Sequence, residues 1–330
     1  MNERDIIARL QETLARDAAG RSGVILGIGD DGAVLEVPPG QHLVTVMDTV
    51  VAGVHFPDTT APEDIGYRAL AVNLSDLAAM AATPAWATLS LTLPLPDPAW
   101  VDAFARGWAA ASVGFDVALV GGDTVRGPLA VSVALHGLVR RGEELTRTGA
   151  RPGDAVYVTG TPGDAAAGLE VCEGRLAADA AVADTLRRRF LRPTPRVVEG
   201  RSLAGVASAA LDISDGLALD AGRLASASGV EIVLEADALP LSPALVQAVG
   251  EERGGQLALA GGDDYELLFA VPVEAQGALQ AASLAWQCGC RRIGHVEEGS
   301  GVTLLHEGKS VPLPAAFEHF SSASGEAIEQ

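Results

Sequence analysis

Apolar and polar positions along the chain follow two rhythms, one typical of helices and one typical of strands. Apolar residues at helical spacing predict an amphipathic opening helix over 3–16, and Ala- and Leu-rich runs predict helices over 64–82 and 100–113. Branched or alternating apolar runs predict strands over 42–51, 86–93, 117–120, 129–139, 155–159, 211–215, 230–234 and 267–273. Because helices and strands mix in both parts of the chain, with hairpin-like strand pairs, we expect an α+β (mixed α/β) fold.

The length of 330 residues favours two domains, and a break in the pattern indicates where they meet. Gly, Ala, Arg and Pro over 149–153 interrupt the alternation of elements, as turns and linkers do. We therefore predict an N-terminal domain over 1–148 and a C-terminal domain over 149–320. The polar stretch 321–330 is expected to be a disordered tail.

The charge balance is strongly acidic and almost free of lysine. Asp and Glu number 43 against 23 Lys and Arg, which gives a formal net charge of −20, and Lys309 is the single lysine. This excludes a phosphate-binding loop of the GxxxxGK[ST] type, because Lys309 lacks the preceding glycines, and it leaves no obvious Schiff-base lysine. It also argues against nucleic acid as a partner, since phosphate backbones are bound by basic surfaces.

The sequence shows no membrane or secretion signal. No apolar window approaches the ~18–20 residues that cross a bilayer, and residues 1–5 are largely polar or charged. The three cysteines, Cys172, Cys288 and Cys290, form no pair of CxxC motifs. We expect a cytoplasmic, reduced protein without a membrane partner.

Aspartates collect beside glycines and at the predicted strand ends. They are Asp30, Asp31, Asp48, Asp76, Asp123, Asp212, Asp215, Asp263 and Asp264. Buried carboxylates in this number would repel one another unless cations neutralised them, and oxygen-only ligand sets suit Mg²⁺. The alternative is that each Asp forms a turn or caps a helix, which is common for single residues. Taken together, the set favours a shared magnesium site.

Glycine clusters supply a complementary feature. They stand at Gly27-Ile28-Gly29, Gly121-Gly122, Gly160–Gly163 and Gly261-Gly262. Backbone N–H groups in such turns can approach an anion closely, although any tight turn also uses glycine. Beside the aspartates and arginines such as Arg147, they indicate a polyphosphate site in which metal ions replace the missing lysine. Zinc, EF-hand and Ser-His-Asp signatures are absent from the sequence.

A series of longer motifs runs through the chain in a recognisable order. They are Gly27-Ile-Gly-Asp-Asp31, Asp48-Thr-Val-Val-Ala-Gly-Val-His55-Phe56, Ala71-Val-Asn-Leu-Ser-Asp76-Leu-Ala-Ala-Met80, Gly121-Gly-Asp-Thr124, Leu145-Thr-Arg147-Thr-Gly-Ala150, Val158-Thr-Gly-Thr-Pro-Gly-Asp164, Asp212-Ile-Ser-Asp-Gly216 and Gly261-Gly-Asp-Asp-Tyr-Glu-Leu267. Over 24–320 the chain resembles the thiamine-monophosphate kinases, members of the aminoimidazole ribonucleotide synthetase superfamily. The resemblance implies the two-domain fold of that superfamily and a homodimer whose N-terminal domains pair.

The resemblance also implies an activity, its ligands and its site residues. The activity is ATP-dependent phosphorylation of thiamine phosphate to thiamine diphosphate with several Mg²⁺ ions. K⁺ is a candidate further cation. By motif, the metal ligands are Asp31, Met47 through its backbone oxygen, Asp48, Asp76, Asp123, Asp212 and Asp215. The ATP-contacting residues are Gly122, Asp123, Arg147 and Ser214, and those contacting thiamine phosphate are His55, Asp263 and Phe317. The residues expected to be catalytic are Asp31, Asp76, Asp123, Arg147 and Asp215.

Three positions depart from the family pattern. Met47 stands where a hydroxyl residue is common, Asp263 where Glu is usual, and Phe317 where relatives have Tyr or Trp. None of these removes a principal carboxylate. We hypothesise direct in-line transfer of the γ-phosphoryl group of ATP, with metal ions offsetting the repulsion between two phosphates. A superfamily ligase or synthetase and a non-catalytic nucleotide-sensing or metal-binding dimer are the alternative functions.

Overall fold

Two β-sheets organise the protein, one formed by each half of the chain. The computed structural model describes residues 2–14 and 23–314. The helices of the first half are α1 (Glu3–Leu14), α2 (Pro62–Ala79) and α3 (Pro98–Ser112). Its strands are β1 (Val24–Leu26), β2 (Val34–Leu35), β3 (Gln41–Val51), β4 (Thr83–Leu93), β5 (Ala118–Arg126) and β6 (Ala130–Arg140). Strands β3, β6, β4 and β5, in that order, form a four-stranded sheet in which β4 and β5 are parallel and the other neighbours antiparallel.

One face of the four-stranded sheet is covered by helices. Buried and half-exposed residues alternate along β4 and β6, so one face is apolar and lies against the core. Helix α2 is buried almost all round and packs on β3, β6 and α3. Glycine permits the close approach of α2 and α3, because a Cβ atom at Gly107 would lie 1.7 Å from the backbone oxygen of Glu63. The outer face carries Met47, which is 65 % exposed.

The second half builds a seven-stranded mixed sheet flanked by helices. Its strands are β7 (Ala155–Thr159), β8 (Ala209–Asp212), β9 (Glu231–Glu235), β10 (Leu267–Val271), β11 (Cys290–Glu297), β12 (Gly301–His306) and β13 (Lys309–Val311). Its helices are α4 (Asp164–Cys172), α5 (Ala180–Leu191), α6 (Val197–Ser202), α7 (Leu217–Ser228), α8 (Pro243–Ala260) and α9 (Gln276–Ser283). The strand order is β13-β12-β9-β11-β7-β10-β8. Strand β10 is buried along its whole length, as its continuous apolar run requires.

The two halves share a hydrophobic core around α2. Leu70 and Leu74 of α2 are fully buried, and their cluster continues into Leu267 and Phe269 of the second half. Helix α2 also contacts α6 and β8. Burial of one apolar surface from both halves favours a fixed arrangement of the two. The polar residues of α2 are therefore held at the boundary between the halves.

The expected fold class is confirmed, because both halves mix helices and strands. Some predicted bounds are wrong. Helix α2 ends at Ala79, before Thr83-Pro84, which belongs to β4. Strand β5 continues to Arg126 instead of ending at Val120, and β8 ends at Asp212 instead of at residue 215. The glycines of β5 do not stop the strand, since they let its backbone lie close to β4. The division at 148 stays a prediction. No helix in the two described ranges is long and apolar enough to cross a membrane.

Candidate active site

Four of the predicted metal-binding aspartates meet where the two halves touch. Asp48 lies within β3, Asp76 in the last turn of α2, Asp212 at the end of β8 and Asp215 in the turn that follows. The carboxyl groups of Asp48 and Asp76 lie close enough for each to shift the pKa of the other. We call these four residues the acidic cluster. Asp48 and Asp76 lie inside the predicted strand and the predicted helix, and α2 on the inner face of the sheet brings them together. The strand predicted over 211–215 ends at Asp212, so Asp215 lies beyond it.

Three members of the acidic cluster, Asp48, Asp76 and Asp212, have raised pKa values. Burial, followed by the charges of Asp212 and Asp48, raises the pKa of Asp76 to about 8. Burial also raises the pKa of Asp212, to about 6, although a hydrogen bond from Ser75 opposes this shift. The pKa of Asp48 is raised as well, mainly by burial. Exposed Arg147 is near enough for its charge to act on both Asp76 and Asp212.

Two polar residues of α2 for which the sequence predicts no role fix the geometry of this cluster. The Asp48 backbone N–H donates to Asn73 Oδ1 at 3.0 Å, and Ser75 Oγ donates to Asp212 Oδ2 at 2.7 Å. Asn73 and Ser75 are both fully buried. Their signal in the sequence is polarity inside an apolar helix, because buried polar side chains are there to make hydrogen bonds.

A buried acidic residue of α7 positions Asp215. The backbone N–H groups of Ser214 and Asp215 both donate to Asp220 Oδ2, at 3.0 Å each. Arg223 forms ion pairs with Asp215 and, at 2.6 Å, with Asp220. Asp220 therefore fixes the backbone from which the Asp215 side chain projects. Neither Asp220 nor Arg223 is predicted from the sequence, where an Asp in the first turn of a helix indicates only capping.

The donors of the acidic cluster suit Mg²⁺ bound together with a substrate phosphate. They are carboxylate oxygens, and burial together with neighbouring carboxylates raises the pKa values of Asp48, Asp76 and Asp212. Within residues 2–14 and 23–314, no three His, Cys, Asp or Glu side chains are close enough to hold one ion by themselves. Mg²⁺ usually takes one or two protein carboxylates and completes its shell with water and phosphate, so pairs such as Asp48 with Asp76 fit it.

A second group of predicted residues surrounds a cavity of about 530 Å³. This cavity lies between α1, β5 and the loop that precedes β2. Asp31, Gly122 and Asp123 line it. Gly29 in the loop has open space around it, so its backbone can approach a ligand. Gly122 differs, because a Cβ atom there would lie 1.9 Å from the carbonyl oxygen of Leu89. The packing of β5 on β4 already requires that glycine, with or without a nucleotide.

The acidic cluster and the residues of the 530 Å³ cavity lie far apart within one chain. Thr49, which follows Asp48 on β3, is paired across the four-stranded sheet with Ser132, then Ser90 and finally Asp123. Three strand spacings separate Thr49 from Asp123, about 14 Å. Neighbouring residues of a strand point to opposite faces, so Asp48 faces the core while the Met47 side chain shares the outer face with Asp123. One chain therefore does not bring all the predicted metal ligands to a single point.

The predicted ATP-contacting residues are divided between the same two places. Gly122 and Asp123 line the 530 Å³ cavity. Arg147 lies beside the acidic cluster and, with Arg223, lines a cavity of about 710 Å³ next to α7. Ser214 belongs to the turn that carries Asp215. The roles of these residues in nucleotide binding stay predictions.

Of the predicted substrate-binding residues, two lie near the acidic cluster. His55 follows β3, where its Nδ1 accepts the Val51 backbone N–H at 3.1 Å. Asp263 precedes β10 with a φ of +70°, and its N–H donates to the Ser214 carbonyl at 2.8 Å. Phe317, like the tail over 321–330, lies outside the described residues.

The glycine turn before α4 faces a carboxylate of the protein itself. The N–H groups of Gly163 and Ala165 donate to Asp264 at 2.6 and 3.2 Å, and Asp264 is buried. Gly163 is also required by packing, since a Cβ atom there would lie 2.7 Å from the Ala258 nitrogen. The expectation that Gly160–Gly163 binds phosphate is therefore wrong, because Asp264 already occupies the anion position at the start of the helix.

Family models match both halves of the chain. The model described as "AIR synthase related protein, N-terminal domain" matches 29–139, and "AIR synthase related protein, C-terminal domain" matches 151–307. The fold and its boundary site thus define a two-domain protein of the AIR synthase-related class.

Similarity to individual proteins shows which family within this class the chain belongs to. Thiamine-monophosphate kinase of Escherichia coli (strain K12) is 45 % identical over 313 residues, which cover 93 % of this chain and 95 % of the relative. The crystal structure of thiamine-monophosphate kinase from Stenotrophomonas maltophilia K279a is 43 % identical with a TM-score of 0.85, covering 93 % and 96 % of the two chains. A structure described as AaThiL complexed with AMPPCP and TMP is 37 % identical with a TM-score of 0.76, covering 89 % and 92 %. The chain belongs to the thiamine-monophosphate kinase family.

Proposed function

We infer that the protein transfers the γ-phosphoryl group of ATP to thiamine phosphate, making thiamine diphosphate and ADP. The observation that carries this inference is the 45 % identity with the E. coli thiamine-monophosphate kinase over 93 % of the chain. The buried acidic cluster agrees with it. The relative solved with AMPPCP and TMP supports the same pair of substrates, because AMPPCP is an unreactive analogue of ATP.

The acidic cluster is the candidate site for Mg²⁺. Its four carboxylates would hold the ions, with the Met47 backbone oxygen as a further donor, while Asp31 and Asp123 would hold ions at the second cavity. When bound, Mg²⁺ supplies the positive charge that offsets the repulsion between the two phosphates and the charge of the transition state. Arg147 is placed to add a fixed positive charge beside Asp76 and Asp212.

The remaining task of the chain is orientation. A phosphate oxygen of thiamine phosphate forms a bond to the γ-phosphorus of ATP while the bond from that phosphorus to ADP breaks, and ADP leaves with the electron pair. The attacking oxygen already carries negative charge, so no strong general base is needed. His55 and Asp263 would hold the acceptor in line, which is the main protein contribution that such a transfer requires.

We also propose a homodimer formed by the outer faces of two four-stranded sheets. Strands β3 and β5 are the two edges of the sheet, so a second copy can set the β5 edge of one chain against the β3 edge of the other. This arrangement would join the two groups of aspartates that one chain keeps apart. The outer face also exposes apolar side chains, Leu43 and Met47 among them, as interfaces do.

Product analysis tests the activity. Purified protein is incubated with ATP, MgCl₂ and thiamine phosphate, with parallel samples in EDTA and with KCl replaced by NaCl. Thiamine diphosphate and an equal amount of ADP support the kinase, and EDTA should abolish both. Inorganic phosphate with an amide-type product would indicate a superfamily ligase instead. Tight ATP binding without turnover would indicate a nucleotide sensor.

Light scattering after size-exclusion chromatography tests the homodimer. Met47→Glu places a charge on the outer face and should yield monomers with little activity, while the Met47 backbone is unchanged. Leu284→Glu is the matched control, because Leu284 is 86 % exposed in the second half, and it should leave the dimer intact. A wild-type monomer with full activity would contradict the proposed assembly.

A further inference from the structure

Arg68 is the one charged residue of α2 between Asp64 and Asp76, and it is 1 % exposed. Its Nη1 donates to the Phe190 carbonyl in the last turn of α5 at 2.5 Å, and its Nη2 is paired with Asp263. The guanidinium also lies over the Phe190 ring, 4.5 Å from its centre. An arginine of the first half thus reaches two separate segments of the second half.

One donor group of this arginine is left unsatisfied by the described residues. Its Nε is buried and has no hydrogen-bond partner in the described part of the protein. A buried donor without a partner is unfavourable, and an arginine needs several good contacts to offset its desolvation. Local departures of this kind are typical of functional sites, where a geometry matters more than maximal stability.

The contacts of Arg68 converge on a single oxygen atom. Both Arg68 Nη2 and the Tyr265 hydroxyl, the latter at 3.2 Å, donate to Oδ1 of Asp263. Oδ2 accepts no hydrogen bond from the described residues, and the Asp263 side chain is 28 % exposed. The carboxylate is therefore fixed in rotation by one oxygen, while the other is left to an incoming group.

The backbone of Asp263 is fixed as well. Asp263 and Tyr265 both have left-handed φ values, +70° and +51°. Their N–H groups donate to the Ser214 and Ile213 carbonyl oxygens, each at 2.8 Å. The loop that carries Asp263 is thus bonded to the segment that carries Asp215, and its unusual conformation is stabilised by these contacts.

We propose that Arg68 is a positioning residue for the acceptor site, which holds Oδ1 of Asp263 so that Oδ2 faces thiamine phosphate. The proposal rests on the function inferred above, in which Asp263 contacts that substrate. Thiamine phosphate carries an amino group and a cationic ring, and a carboxylate oxygen can bind either. Arg68 itself does not touch the substrate, so its effect passes through Asp263.

A double-mutant cycle in the full-length enzyme tests this. Arg68→Lys keeps the charge but loses the planar fork that reaches Phe190 and Asp263 together. It should raise the KM for thiamine phosphate about tenfold, as expected when a hydrogen bond to a charged group is lost. Asp263→Asn should raise it to a similar extent, and the double variant no further, because both changes remove one interaction. The KM for ATP should stay within about twofold in all three.

Arg192→Lys is the matched control. Arg192 also joins α2 to the end of α5, through Asp64 at 2.5 Å and Glu63 at 3.0 Å, but it does not touch Asp263. It should leave the KM for thiamine phosphate unchanged. The proposal is overturned if Arg68→Lys shifts that KM by less than twofold, if the two single effects multiply, or if Arg192→Lys gives the same shift.

Tyr265→Phe covers the case in which Arg68→Lys does not fold. It removes the second donor to Oδ1 and keeps the ring beside the guanidinium, so it should raise the KM for thiamine phosphate several-fold without changing that for ATP. An unchanged KM in this variant would overturn the proposal. A wild-type enzyme that makes no thiamine diphosphate would instead overturn the proposed function, which separates the two failures.

Discussion

The buried carboxylate of Glu266 and those of the acidic cluster differ in the positive charge that surrounds them. Glu266 is completely buried, and Arg196 binds it through two hydrogen bonds of 2.6 and 2.5 Å, with a third from Arg189 at 2.7 Å. Burial alone would raise the pKa of Glu266, but the charges of Arg189 and Arg196 lower it to about 2. The chain itself thus supplies the counter-charge for Glu266.

Two members of the acidic cluster, Asp76 and Asp212, are left without such neutralisation in the part of the chain that the structure describes. Asp76 and Asp212 have no buried arginine beside them among the described residues, and their pKa values are raised to about 8 and about 6. Arginines within the fold balance the charge of Glu266, whereas Asp76 and Asp212 lack such a balance within the described ranges. This difference agrees with the cation-binding role that we propose for the acidic cluster.

Asp76→Asn tests the acidic cluster and has the largest expected effect. Turnover should fall about 10³-fold, because stabilisation of transition-state charge by metal ions is worth several kcal/mol and each 1.4 kcal/mol is tenfold. The free energy of unfolding in EDTA should equal or exceed that of the wild type, since the amide removes repulsion with Asp48 and Asp212. Steady-state kinetics and urea unfolding measure the two quantities. Near-normal turnover would place the metal elsewhere.

Glu266→Gln tests the buried ion pairs that Glu266 forms with Arg189 and Arg196. It leaves Arg189 and Arg196 without their buried counter-charge, so the free energy of unfolding should fall by about 3 kcal/mol. Urea unfolding at pH 7 gives the value. Glu252→Gln, an exposed change on α8, is the control and should alter stability by less than about 0.5 kcal/mol. If both variants lose the same small amount, the contrast between Glu266 and the acidic cluster is wrong.

The pH dependence of that difference gives a narrower test. The pKa of Glu266 is lowered from 4.5 in its ordinary state to about 2 in the folded protein. Its contribution is therefore present above about pH 4.5 and is lost as the pH falls towards 2. The stability gap between the wild type and Glu266→Gln should be constant from pH 7 to 5 and shrink below 4.5. Urea unfolding across this range measures the gap, and one that grows at low pH would contradict the lowered pKa.

Local sequence patterns predict most of the helices and strands but few of the contacts between them. Strands β3 and β10 are predictable because their apolar runs specify extended segments, and α2 is predictable from its Ala- and Leu-rich composition. The course of β5 is not, because the glycines that suggest a turn instead permit close approach to β4. Whether a glycine ends a strand depends on a neighbour, Leu89, that lies far away in the sequence.

The candidate site shows the same limit. Its aspartates stand in recognisable motifs, so the sequence alone is enough to select Asp48, Asp76 and Asp212, which the structure brings together. The contact of Arg68 cannot be predicted from a short motif, because its partner Asp263 is 195 positions away. The glycine turn before α4 misleads for the same reason, since its anion is the carboxylate of Asp264 and not a phosphate. Side chains that position others are identified by contacts, which no short motif records.

Ser75→Ala has the smallest expected effect. It tests whether the hydrogen bond from Ser75 to Asp212 contributes to Mg²⁺ binding by the acidic cluster. Ser75 Oγ is a hydrogen-bond donor to Asp212, at 2.7 Å, and both side chains are buried. Its removal should lower the free energy of unfolding by about 1 kcal/mol and raise the Mg²⁺ concentration for half-maximal rate about tenfold, as for other residues that orient a metal ligand. Ser112→Ala, which removes a bond to a backbone carbonyl in α3, should leave the Mg²⁺ dependence unchanged. Equal Mg²⁺ dependence in both variants would mean that Asp212 acts without support from α2, and the acidic cluster would then be defined by its charges alone.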